Sequence, residues 1–163
     1  KAWLSGLSPK QNREVPPLDY ERVYKIKEDF SKLQISINGG IKTFDQANQH
    51  LKKVDGVMIG REIYQNPYML AQADNDIYQC KTPVLTKQQI IEHMALYIDR
   101  HIASGGRAWH VLRHMLGLCN GLAGARKFRR DLSESASKGV SNGDTLKQAY
   151  EGVLLLNEDV CSE

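Results

Sequence analysis

Two short apolar runs, at residues 33–37 and 56–59, each stop at glycine, and a helical pattern separates them. The first halts at Asn38-Gly39-Gly40 and the second at Gly60-Arg61. Between them Thr43 and Gln46 have the form of a capping box, opening a helix that runs to about Lys52. A link that long and helical cannot be a hairpin, so the two strands must run parallel. Parallel strands are expected to be buried on both faces, and two of them do not make a stable sheet alone. The region is therefore expected to be the last quarter of a larger α/β structure.

The flanking segments extend this order to loop, helix, strand, helix, strand, helix. Residues 5–18 hold three prolines and a glycine without periodicity and read as a long polar loop. Asp19 is placed to cap a helix through Phe30, with Val23, Tyr24, Ile26 and Lys27 on its inner face. A short helix after Arg61 is broken at Asn66-Pro67. Beyond Asp74 the pattern becomes wholly helical. Ile91, Met94, Ala95, Ile98 and Ile102 recur at helical spacing, as do Trp109, Leu112, Met115, Leu116 and Cys119. Ala125, Phe128 and Leu132 mark a third helix, and Leu146, Ala149, Tyr150, Val153 and Leu154 a fourth. The expectation is α/β structure over residues 1–74 and a small four-helix domain over 75–163, with the boundary near 75–82.

Charge is distributed in blocks. Residues 1–99 carry a net of +1, residues 100–130 a net of +7 with no carboxylate and three histidines, and residues 131–163 a net of −5. An Arg-rich stretch of this kind suits a polyphosphate partner, the alternative being a solvated face paired with the acidic tail. No apolar run approaches a membrane span, the densest being four residues at 153–156. Cys80, Cys119 and Cys161 are far apart and form no CxxC pair, which argues against a disulfide framework or a zinc site. A cytoplasmic protein with reduced thiols and no membrane association is expected. The chain begins at Lys1 without methionine, which reads as the downstream part of something longer.

Glycine after a strand lets backbone N–H groups approach an anion, and the following helix adds its dipole. Two adjacent parallel strands ending this way would share a phosphate cradle, with Arg61 as a charged clamp. In a (β/α)8 barrel such a site follows strands seven and eight. The alternative is that Asn38-Gly39 is only a turn.

The run KAWLSGLSPKQNREVPPLDY, followed by INGGI and DGVMIGREIYQNPYML and later by GARKFRRDLS, resembles the tRNA-dihydrouridine synthases, and the A subfamily in particular. The resemblance covers essentially the whole chain. It implies the C-terminal part of a (β/α)8 TIM barrel, strands seven and eight, followed by a helical tRNA-binding domain. By that resemblance Asn38, Gly39, Gly40, Gly60 and Arg61 would hold the phosphate of FMN, while Lys10, Arg13, Arg126 and Arg129 would contact tRNA. NADPH would reduce the flavin, which would deliver hydride to a uracil ring of tRNA, the subfamily favouring the D-loop near position twenty.

The arginine assignment is physically reasonable, because Arg126, Arg129 and Arg130 share one helical face while Phe128 and Leu132 turn inward. Lys10 and Arg13 would sit on the proline-rich loop above the barrel mouth, where RNA phosphates could be held as a uridine is drawn from its stack. His110 and His114 are spaced i, i+4, but no glutamate occupies position 111 and no third ligand is evident, so a metal site is not expected. Tyr64 and Tyr68 are assigned to packing, the alternative being that they line the flavin face. The chain departs from the family in one respect that matters: none of its three cysteines matches the context of the family's catalytic cysteine, so no catalytic residue is assigned. Two other readings stay open, a small-molecule FMN barrel and a non-catalytic RNA-binding module. Unpaired barrel strands would also favour self-association.

Overall fold

A computed structural model describes residues 5–14 and 17–158. The chain divides into two compact units, Lys1–Gly60 and Arg61–Glu163. The change of pattern near Asp74 thus lies inside the second unit. Close packing there gives the reason: a Cβ on Gly117 would stand 2.4 Å from the Gln65 carbonyl and 2.9 Å from Pro67.

In the first unit, α1 (Pro9–Glu14) and α2 (Tyr20–Asp29) precede β1 (Ser36–Asn38), α3 (Phe44–Leu51) and β2 (Gly56–Met58). The strands pair in parallel, Ser36 with Gly56, Ile37 with Val57 and Asn38 with Met58. Burial on both faces does not hold. Ile37 is buried, but Ser36 and Asn38 are exposed, Val57 is half-buried and Met58 is 50% exposed. Strand alternation puts one side of β1 inward, where Ile37 joins Ile41, Ala47 and Val54 as the buried apolar residues described for this unit.

Helix starts follow their caps. Asp19 accepts from the Arg22 N–H at 3.0 Å and opens α2, and Thr43 accepts from the Gln46 N–H at 3.2 Å and opens α3. The Gln46 side chain reaches one residue further back than a capping box requires, accepting from the Lys42 N–H at 2.8 Å. Residues 5–18 are not all loop. The Ser8 hydroxyl accepts from Gln11 N–H at 3.3 Å, and the Gln11 side chain accepts from Ser8 N–H at 2.9 Å. Pro9 then occupies the first turn of α1, where its missing N–H costs nothing.

Polar contacts bind α2 to the rest of the unit. Buried His50 holds the Tyr24 hydroxyl at 2.6 Å through Nδ1 and meets the Tyr20 ring edge-on at 4.6 Å. Lys27 pairs with Asp55 at 2.8 Å, and Asp55 accepts from the Ile35 N–H at 2.8 Å. The latter bond, with Lys27 second, holds the Asp55 carboxyl below its ordinary value.

The second unit begins with α4 (Arg61–Gln65), a 3-10 segment (Pro67–Gln72) and α5 (Ala73–Asp76), then α6 (Lys87–Ala103), α7 (Trp109–Met115), α8 (Ala125–Ser137) and α9 (Gly143–Glu158). The segment expected as a boundary is pinned: the Asn75 side chain donates to Thr82 O at 3.0 Å and accepts from Thr82 N–H at 3.1 Å. A full capping box between Thr86 and Gln89 starts α6. The expected apolar faces of α6, α7, α8 and α9 meet for the most part in one core, in which Ile91, Ile98, Leu112, Cys119, Phe128, Leu132, Leu146 and Val153 are nearly inaccessible; Ile102, expected on the inner face of α6, is exposed instead, and Cys119 reaches the core from the turns after α7. Helix α9 packs on both α6 and α8. Its approach to α6 demands Gly143, since a Cβ there would lie 2.5 Å from Ala95 O, and the Gly143 N–H donates to Asp99 at 2.8 Å. Among the described residues no helix is long and apolar enough to cross a membrane.

Candidate functional site

The pairing of Asn38 with Met58 sets the two strand exits side by side, so residues 38–40 and 59–60 emerge from one edge of the first unit. Asn38, Gly40 and Gly60 are exposed there, and residues 38–42 and 58–61 include no carboxylate. Gly39 and Gly40 have φ of 124° and 72°, a region costly for side chains. They also face protein: a Cβ on either would be 2.8 Å from Leu18, and the Tyr20 hydroxyl donates to Gly39 O at 2.6 Å. The glycine pair is thus required by this turn's geometry and packing, while the exposed backbone beside it remains open to an anion. At the start of α3, the Lys42 and Gln46 N–H groups are taken by side chains, and Asp45 lies in the first turn. That helix terminus is less receptive to phosphate than the bare motif implies. Gly60 is followed directly by Arg61, which is exposed and opens α4 of the second unit.

Helix α8 presents the basic face. Phe128 and Leu132 are fully buried, which turns Arg126, Arg129 and Arg130 to solvent. Lys127 is paired with Asp131, and Arg130 stands 3.9 Å from Asp131 and from Glu134. Among the described residues Arg126 and Arg129 have no ion pair. The acidic segment after residue 130 therefore neutralises part of the face and leaves these two free for an outside anion. The start of α8 is fixed by packing, as Gly124 has no side-chain cap and a φ of 80°. A Cβ on Gly124 would lie 2.9 Å from Leu156, and the Asn157 amide donates to Ala123 O at 3.1 Å and Val153 O at 2.6 Å.

Lys10 and Arg13 lie on α1. Lys10 is exposed, and the side chain of Arg13 is outside the described residues. The structure thus brings Asn38, Gly39, Gly40 and Gly60 to one edge of the first unit, and Arg126 with Arg129 to one face of the second.

The histidines have local partners. His110 Nδ1 is 3.2 Å from His101 Nε2, and His114 Nε2 accepts from Arg113 Nε at 3.0 Å. Tyr64 is 62% exposed and meets His114 edge-on, whereas Tyr68 packs against the helical core. Cys80 is exposed, and Cys161 is outside the described residues. Cys119 is fully buried, and loss of hydration pushes its thiol up to about 11, so it is a protonated, inert group at neutral pH. Leu18 and Tyr20, which seat the glycine turn, were not legible as site residues, since their contacts span about 20 positions.

The described residues thus combine a parallel strand pair that ends in glycines with, in the second unit, a helix that turns arginines to solvent. The family model for dihydrouridine synthases matches residues 4–153, and the chain belongs to that family. It is 54% identical over 153 residues to the tRNA-dihydrouridine(20/20a) synthase of Shewanella oneidensis, covering 94% of this chain and 46% of the relative. The enzymes of the same description from Vibrio vulnificus and Haemophilus ducreyi are 52% and 53% identical over 149 residues, with 91% of this chain and 46% of each relative covered. The chain thus spans a little under half the length of these relatives.

Proposed function

We propose that this chain carries the flavin-phosphate end and the RNA-docking domain of a tRNA-dihydrouridine synthase that reduces D-loop uridines in the cytoplasm. In this reading residues 1–74 close a (β/α)8 barrel as strands seven and eight with their helices, and residues 75–163 bind tRNA. The strand exits at Asn38, Gly40 and Gly60, exposed and with no carboxylate in residues 38–42 and 58–61, together with half-buried Gly39, would receive the phosphate of FMN, with Arg61 adding charge. Bound there, FMN would supply hydride for C6 of a uracil, with NADPH as the reductant. The chain's own part is to hold the cofactor's phosphate and the RNA in register. None of its three cysteines has the context of the family's proton-donating cysteine, so the 163 residues alone are expected to bind rather than turn over.

The observation that carries this reading is the uncommitted pair Arg126 and Arg129, aimed outward by the buried Phe128 and Leu132. Guanidinium forks suit phosphate oxygens, and several such contacts position a duplex or loop. The test is a titration of the 163-residue chain with tRNA at two salt concentrations, beside an Arg126→Ala/Arg129→Ala variant. Salt-sensitive binding that falls by about tenfold or more in the variant, with a shallower salt slope, is expected. Equal binding by parent and variant would remove the arginine face from the interface.

A further inference from the structure

The second unit contains a cavity of about 670 Å³ that is separate from the residues assigned above. Arg107 just before α7, Trp109 and His110 in its first turn, Ser133 and Ser137 of α8, and Ser141 are among the residues that line it. Among the described residues no carboxylate lines it. Arg107 and His110 are exposed, and His110 is steadied by the contact of its Nδ1 with His101. The Ser133 and Ser137 hydroxyls donate to Arg129 O at 2.8 Å and Glu134 O at 2.7 Å, which leaves their lone pairs to accept from a ligand.

Position on α8 connects this cavity to the basic face. Ser133 follows Arg126 by seven residues and Arg129 by four, and Ser137 follows Ser133 by four, so all fall on one stripe of the helix. A strand held by arginines on that stripe would run toward the cavity. Trp109 supplies an aromatic wall, Arg107 a phosphate clamp, and the serines acceptors for base N–H groups. The lining combines an aromatic ring, a cation and hydroxyls, a mixture that suits a nucleotide better than an apolar ligand or a bare phosphate.

We propose that this cavity is a nucleotide-anchoring pocket, which takes one unstacked nucleotide of the RNA strand bound on the Arg126/Arg129 face. The proposal rests on the RNA-docking reading above. It is tested with the 163-residue chain, tRNA as the probe and four proteins: parent, Arg107→Ala, Ser137→Trp and Arg126→Ala/Arg129→Ala. Both changed cavity residues are exposed, and circular dichroism checks that each variant is folded. Arg107→Ala should weaken binding about fivefold or more and lower the salt slope by about one phosphate's worth. Ser137→Trp fills the cavity without removing a charge, and should weaken binding by about fivefold to tenfold while leaving the slope unchanged. If Ser137→Trp binds as the parent does, no nucleotide enters the cavity and the proposal falls, whatever Arg107→Ala does. If the double arginine variant alone loses affinity, the docking reading stands without the pocket. If no variant changes binding, both are wrong.

Discussion

The two units reach stability by different routes. The second, Arg61–Glu163, has one continuous core in which Phe128, Ile91, Ile98, Leu112, Leu132 and Leu146 are essentially sealed from water. The first, Lys1–Gly60, is described with four buried apolar residues, and Ile26, Phe30, Leu33 and Met58 remain 42–57% exposed. A two-stranded parallel sheet with so little apolar cover is held instead by point contacts, Tyr24 to His50, Lys27 to Asp55 and Tyr20 to Gly39. Apolar burial is distributed and tolerant of polar loss, whereas a network of single hydrogen bonds fails one member at a time. The unit proposed to dock RNA thus has its own apolar core, and the unit proposed to hold flavin phosphate leans on single polar contacts.

The largest test of this contrast exchanges the same substitution between units. Phe128→Ala should destabilise the helical unit by about 3–5 kcal/mol in urea unfolding, because it empties a sealed site. Phe30→Ala removes a side chain that is 57% exposed. It should change stability by no more than about 0.5 kcal/mol. A large loss from Phe30→Ala would show that the first unit has a core after all.

The next test concerns close helix approach. Gly143→Ala sets a methyl 2.5 Å from Ala95 O and 2.7 Å from the Asp99 carboxylate. A loss of about 1–3 kcal/mol is expected, read from the midpoint of the same unfolding curve. The smallest effects separate the units by pH. Asp55 is held below 3.8, so its contribution is complete above that pH and is lost as pH falls through the lower folded value. Cys119 is raised from 9.0 to about 11, so its contribution is complete below 9.0 and is lost as pH rises through about 11. Asp55→Asn should flatten the acid limb of a stability profile, and Cys119→Ala the alkaline limb. A profile in which either substitution acts on the opposite limb would contradict the assignment.

Much of this was legible because it is local. Asp19 and Thr43 announced α2 and α3, and the period of Ile91, Ala95 and Ile98 announced α6. The same signature at Ser8 and Gln11 was obscured by the surrounding prolines, although Pro9 stands where a helix accepts one. The outward Arg126 and Arg129 were readable from spacing alone, whereas their freedom from ion pairs was not. It depends on which cations Asp131 and Glu134 select. The depth of burial of β1 and β2 was misread because the apolar letters in strands specify which face can turn inward, not whether anything covers it. Contacts between distant positions, such as Asp99 with Gly143 or Leu18 with Gly39, leave no periodic trace.

The grip of Asn157 on the Ala123 carbonyl, with Leu156 against Gly124, makes the last described turn of α9 a gauge for the start of α8. Premature termination would therefore be read out unevenly. A stop codon just after Val153 would keep every sealed core side chain named above, yet would release the joint that aims Arg126. If the chain docks RNA as proposed, the damage would appear first as a weakened grip on nucleic acid and only later as a lower melting point. The closing residues of α9 belong, in inheritance as in mechanics, to the arginine helix.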